Sequence, residues 1–137
     1  ANELRAALGL RNPHIIETYT TGQADGRPFI VMELAQGGSL RNLLRNRAQA
    51  GPLPLDLCLE LAQQITDGLI YAHGRNIVHT AIKPENLLFG RIPSAGEPPQ
   101  LKLSDFGVTW LADALPQSPK ARNLSLRVVF AGGSVTK

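Results

Sequence analysis

Between Leu55 and His73, apolar residues recur at steps of three and four (Cys58, Leu61, Ala62, Ile65, Leu69 and Ala72), and no proline interrupts the run. That period lays an apolar stripe along a single helix. Gly74 follows at the position where a left-handed residue commonly ends a helix. A helix of this length cannot cover its own stripe, so the chain must supply a second layer. The flanking sequence offers β-rich runs for it. Residues 15–20 and 28–33 read as two antiparallel strands joined by turn residues 22–26, and Leu87–Phe89 and Leu101–Leu103 read as two short strands. Between those last two, residues 90–100 hold three prolines and two glycines and read as a loop. Two shorter helices complete the pattern. Residues 2–10 carry Leu4, Ala7 and Leu8 on one side, ended by Asn12 and Pro13. Ser39 caps a helix through Arg47 with Leu40, Leu43 and Leu44 inward, stopped by Gly51. From Gly107 onward no period persists, and the segment is expected to be irregular and mobile. The class is α+β.

Composition narrows the function classes. With 43% hydrophobic and 18% charged residues the 137-residue chain can bury a core. The net charge of +3 is carried without the interleaving of basic and aromatic residues that nucleic-acid surfaces favour. Arg41, Arg45 and Arg47 follow helical spacing in a polar stretch, which is the pattern of a solvated helix face. No nucleic-acid partner is expected. The single Cys58 excludes an internal disulfide, and among Leu55, Leu59 and Leu61 it is expected to be packed. His14, His73 and His79 lack metal-finger spacing. No apolar run approaches the ~18 residues of a membrane span. A reducing, cytoplasmic setting with no membrane partner within this chain is therefore expected.

Three segments carry the chemistry: FIVMELAQGGSL at 29–40, HTAIKPENLL at 79–88 and DFG at 105–107. Singly each is a weak signal; in this order and spacing they resemble the eukaryotic-type serine/threonine protein kinase domain, whose signature is HRDLxxxN followed by DFG. The resemblance implies a partial kinase-like fold. Residues 1–33 would be the remnant of the N-lobe (a helix end plus the β-hairpin), 34–38 the hinge, 39–107 the first half of the helical C-lobe, and 108–137 an incomplete activation segment. It also implies ATP and Mg²⁺ as ligands and a protein as substrate or partner. By resemblance Asn86 and Asp105 hold the metal, Lys83 sits near the transferred phosphate, and Met32, Glu33, Leu34, Ala35 and Leu88 surround the adenine. Glu3 matches the helix glutamate that pairs with a strand lysine, a lysine these residues do not contain. His79 packs under the ring of Phe106.

The residue types suit those roles. Magnesium takes hard oxygen ligands, which Asn86 and Asp105 supply, and a lysine point charge stabilises crowded phosphoryl oxygens. Plainer readings stand beside them: Asp105 as a turn former, Asn86 as a cap, Lys83 and Glu3 as solvated charges, Met32 and Leu88 as core. The pattern also breaks. Ala81 occupies the position of the aspartate that accepts the substrate proton, and Thr80 that of an arginine that grips a phosphorylated loop. No glycine-rich phosphate loop occurs. Two functions follow from the resemblance: a catalytically impaired kinase-like domain that still binds Mg-ATP, or a pseudokinase that serves as an interaction or regulatory module without nucleotide.

Overall fold

The computed structural model describes residues 8–91, 96–106 and 127–131. Most of the expected helix over residues 2–10 and most of the segment after Gly107 lie outside these residues, as does Glu3. Strands β1 (Thr18–Ala24) and β2 (Arg27–Glu33) form an antiparallel hairpin. Its turn is tighter than the glycines at 22 and 26 suggest. Asp25 (φ 52°) and Gly26 (φ 72°) are both left-handed, the requirement of a two-residue turn that follows the strand twist. Gly22 therefore lies inside β1, where a Cβ would stand 2.5 Å from the Phe29 ring. Ile15 and Ile16, expected to begin the first strand, instead run beside the other sheet: Ile15 bridges Leu103, and the Ile16 N–H donates to the Leu103 carbonyl at 2.9 Å.

After the hairpin come α1 (Leu40–Asn46) and α2 (Leu55–His73). Ser39 caps α1 through its hydroxyl, which accepts the Asn42 N–H at 3.1 Å. The limits of α2 match the sequence period, but its end and its inner face differ from expectation. Gly74 is right-handed (φ −61°), and the left-handed residue is Asn76 (φ 58°). The buried face runs through Leu61, Gln64, Gly68 and Ala72, while Cys58 and Ala62 are exposed. Gln64 is inside because its side chain closes the backbone of the next strand: Oε1 accepts the Leu101 N–H at 2.7 Å, and Nε2 donates to the Pro99 carbonyl at 3.0 Å. At Gly68 a Cβ would meet Leu103 Cδ1 at 2.8 Å and the His14 carbonyl at 3.0 Å, so only glycine lets the helix approach this closely.

A 3₁₀ turn (Pro84–Asn86) leads into β3 (Leu87–Phe89), which pairs antiparallel with β4 (Leu101–Leu103). Leu101 and Leu103 are fully buried at the centre of a core shared with Leu10, Ile15, Leu61, Ala72, Ile77, Leu87, Phe89 and Phe106. A further strand, β5 (Arg127–Ala131), pairs parallel with β2 and gives the first sheet the order β1-β2-β5. It arises in the stretch expected to be irregular; its backbone completes the free edge of β2. The result is a hairpin side and a helical side joined by residues 34–38.

Candidate active site

Between hairpin and helices the backbone is tied closely. The Gln36 and Gly37 N–H groups donate to the carbonyls of Gly90 (3.1 Å) and Phe89 (2.9 Å), and the Phe89 N–H donates to Gly38 (2.9 Å). A Cβ at Gly37 would stand 2.5 Å from Phe89 Cβ, so glycine is what allows this approach. Against it, Met32 packs with Ile16 and Ile30, and Ala35 and Leu88 complete the same apolar cluster. The structure thus brings together Met32 and Ala35 of one segment with Leu88 of another. Glu33, at the end of β2, turns its carboxylate to Lys102 of β4 at 2.5 Å. Sequence reasoning passed over Lys102. A lone charge between two leucines in a short β-run was the available signal.

The second group of residues is polar. His79 is buried with both ring nitrogens used: Nδ1 accepts the Ala81 N–H at 3.1 Å, and Nε2 lies 2.6 Å from the Ser104 carbonyl. Because the Ala81 N–H can only donate, the ring proton must sit on Nε2 and point at Ser104. Burial lowers the His79 pKa from its usual value, against the Ser104 hydrogen bond and the charge of Asp105, which raise it. The neutral ring that the hydrogen bonds require is the form burial favours. Phe106 meets the imidazole edge to face, with centroids 4.4 Å apart, as the sequence suggested.

Asn86 is also buried, and its Nδ2 donates to the Ala81 carbonyl at 2.9 Å. Among the described residues its Oδ1 accepts no hydrogen bond, which leaves the oxygen as the free end of the amide. The Asn86 carbonyl accepts both the N–H (2.8 Å) and the hydroxyl (3.1 Å) of Ser104. Asn86 and Asp105 therefore emerge at the same end of the β3–β4 pair. Burial raises the Asp105 pKa above its usual value, while His79 and Lys83, in that order, pull it back. Lys83 is exposed and Ala81 half-buried. Thr80 (φ 66°) and Asp105 (φ 67°) are both left-handed. For a β-branched residue this is a true outlier, held here by the two hydrogen bonds made by Ala81 on one side and His79 on the other. No sequence signal announced it.

Two hard oxygen donors at one strand end fit a magnesium site in kind. Among the described residues no group of three or more His, Cys, Asp or Glu side chains could hold a metal alone.

A hairpin, a glycine-tied crossing and a polar loop whose His79 packs on Phe106 are parts of a kinase domain. The model of the protein kinase domain matches residues 1–126, and the chain belongs to that family. It is similar to the serine/threonine-protein kinase PknL of Mycobacterium tuberculosis, with 39% identity over 77% of this chain and 24% of the relative. PknF of the same species is 32% identical over 93% of this chain and 26% of its own length. Among solved structures, a point mutant of the Mycobacterium tuberculosis PknI kinase domain superposes with a TM-score of 0.65 at 27% identity, over 76% of this chain and 40% of that one. The chain thus spans about a quarter of the length of these relatives. It forms part of a protein kinase domain: an N-lobe hairpin and the start of the C-lobe.

Proposed function

We propose that this part of a serine/threonine kinase-like domain binds Mg-ATP and transfers its phosphoryl group to protein hydroxyls poorly, because residue 81 is alanine. The reading rests on one observation. The His79–Ala81, Asn86–Ala81 and Asn86–Ser104 hydrogen bonds hold the loop in one shape, yet the residue at its centre carries only a methyl group. Adenine would lie against Met32, Ala35 and Leu88, with backbone groups of residues 33–35 as its polar partners. Asn86 Oδ1 and the Asp105 carboxylate would hold the metal, and Lys83 would face the phosphate. A metal held there would supply positive charge to offset that of the phosphates. The missing proton acceptor costs about 10²–10⁴ in rate, or about 3–5 kcal/mol of barrier. Positioning and electrostatics survive, so binding should outlast turnover. The setting proposed is cytoplasmic.

The test uses the longest natural polypeptide that carries this sequence. A Mg²⁺-dependent rise in melting temperature with ADP, weak peptide phosphorylation and a gain of about 10²–10⁴ for Ala81→Asp are expected. Robust phosphorylation by the natural sequence would overturn the impairment. No ADP shift, together with a stable protein complex in pull-down, would favour an interaction module instead.

A further inference from the structure

The ion pairs at Arg11–Glu17, Arg41–Glu85 and Arg91–Glu97 lie at the surface, with side chains 36–71% exposed. Such pairs are screened and hold little in place. Lys102–Glu33 differs: its side chains are 14% and 19% exposed, and Nζ stands 2.5 Å from Oε1. Shielding from water strengthens the attraction, and both ends are fixed by backbone. Glu33 closes β2, and its N–H donates to the Glu17 carbonyl at 2.9 Å. Lys102 is the middle residue of β4, opposite Leu88, between two leucines with no exposed surface. Its stem crosses Gly90, where a Cβ would lie 3.0 Å from Lys102 Cε, and the Gly90 carbonyl receives the Gln36 N–H at 3.1 Å. Strands β2 and β4 belong to different sheets. The pair therefore joins the strand leading into residues 34–38 directly to the strand that ends at Ser104 and Asp105.

We propose that Glu33 and Lys102 are positioning residues whose ion pair sets the spacing between the adenine-binding backbone and Asp105, so that binding at the base end and at the phosphate end is coupled through it. This rests on the nucleotide reading above. A bond that only added stability would weaken all ligands alike. A spacer affects ligands that reach both ends more than those that touch one.

The experiment titrates adenosine and Mg-ADP into the natural protein, Lys102→Met, Glu33→Gln and the double variant, with Arg91→Met as a surface-charge control. The ratio of Mg-ADP to adenosine affinity should fall by about three- to tenfold in each single variant. It should fall no further in the double variant and remain unchanged in the control. A lower melting temperature with an unchanged ratio overturns the proposal. If the natural protein binds neither ligand, the nucleotide reading fails, and amide exchange decides the spacer by itself. Faster exchange at both Gln36 and Leu103 in Lys102→Met, with α2 unaffected, supports it. Unchanged exchange at those amides overturns it.

Discussion

Where adenine is proposed to bind, Met32, Ile16 and Ile30 are held by apolar contact with one another and with Ala35 and Leu88; where phosphate is proposed to bind, His79, Ala81, Asn86 and Ser104 are held by a closed set of directed hydrogen bonds. The first kind of packing is graded, because volume lost at one residue can be partly recovered by its neighbours. The second is nearly all or none, since removing one partner strands the others where few alternative partners are in reach. The methyl group of Ala81 sits within the second region without taking part in it, because Ala81 contributes only backbone groups to the set.

The largest expected effect probes the polar region. Replacing His79 by alanine removes a buried ring and leaves the Ala81 N–H and the Ser104 carbonyl unpaired. A loss of about 3–4 kcal/mol in urea unfolding is expected. A loss below about 1 kcal/mol would mean the loop is supported elsewhere and the contrast is wrong.

Next is the crossing between the two regions. In Gly37→Ala the new methyl must displace Phe89, whose Cβ lies 2.5 Å away, and the Gly37 N–H to Phe89 bond stretches with it. About 2–3 kcal/mol should be lost, again read from the urea midpoint. A neutral result would show that the crossing adjusts freely. On the apolar side, Met32→Leu nearly conserves volume and should cost less than about 1.5 kcal/mol, with ADP affinity altered by only a few-fold. A collapse of binding there would give the apolar side the all-or-none behaviour assigned to the loop.

The same division explains which parts of the molecule could be read in the sequence. Apolar period and β-rich runs report where elements lie, so the limits of α2, β3 and β4 were legible although the inner face of α2 was not, and Met32 and Leu88 could be placed on one cluster by resemblance. Period is silent about residues buried for other reasons. Gln64 is inside to satisfy strand backbone, Gly68 to admit Leu103, and neither looks apolar enough to announce itself. Turn glycines misled in a related way. Gly22 and Gly74 look like turn and cap residues, but the left-handed positions went to Asp25 and Asn76, whose short polar side chains tolerate that backbone. The motif types at 79–88 and 105–107 showed which residues to examine. The left-handed Thr80, the tautomer of His79 and the reach of Lys102 to Glu33 depend on long-range partners that no local pattern encodes.

The smallest effect is a dependence of stability on pH with two opposite slopes. Burial lowers the His79 pKa from 6.5, so on acidification the unfolded chain takes up its proton first. Stability contributed by the neutral ring is complete above 6.5 and is lost as pH falls from there toward the lowered native value. For Asp105 the sign reverses. Burial raises its pKa above 3.8, so the native carboxyl is protonated before the unfolded one, and stability is regained as pH falls through the raised value toward 3.8. Melting temperature followed across acid pH should therefore fall below 6.5 and then flatten as the second group takes over. In His79→Gln the first slope should shrink, because an amide can donate to Ser104 but does not titrate. In Asp105→Asn the flattening should vanish. Profiles of both variants that run parallel to that of the natural protein would show that neither buried group governs the acid response, and that the polar loop is less closed to solvent than its hydrogen bonds require.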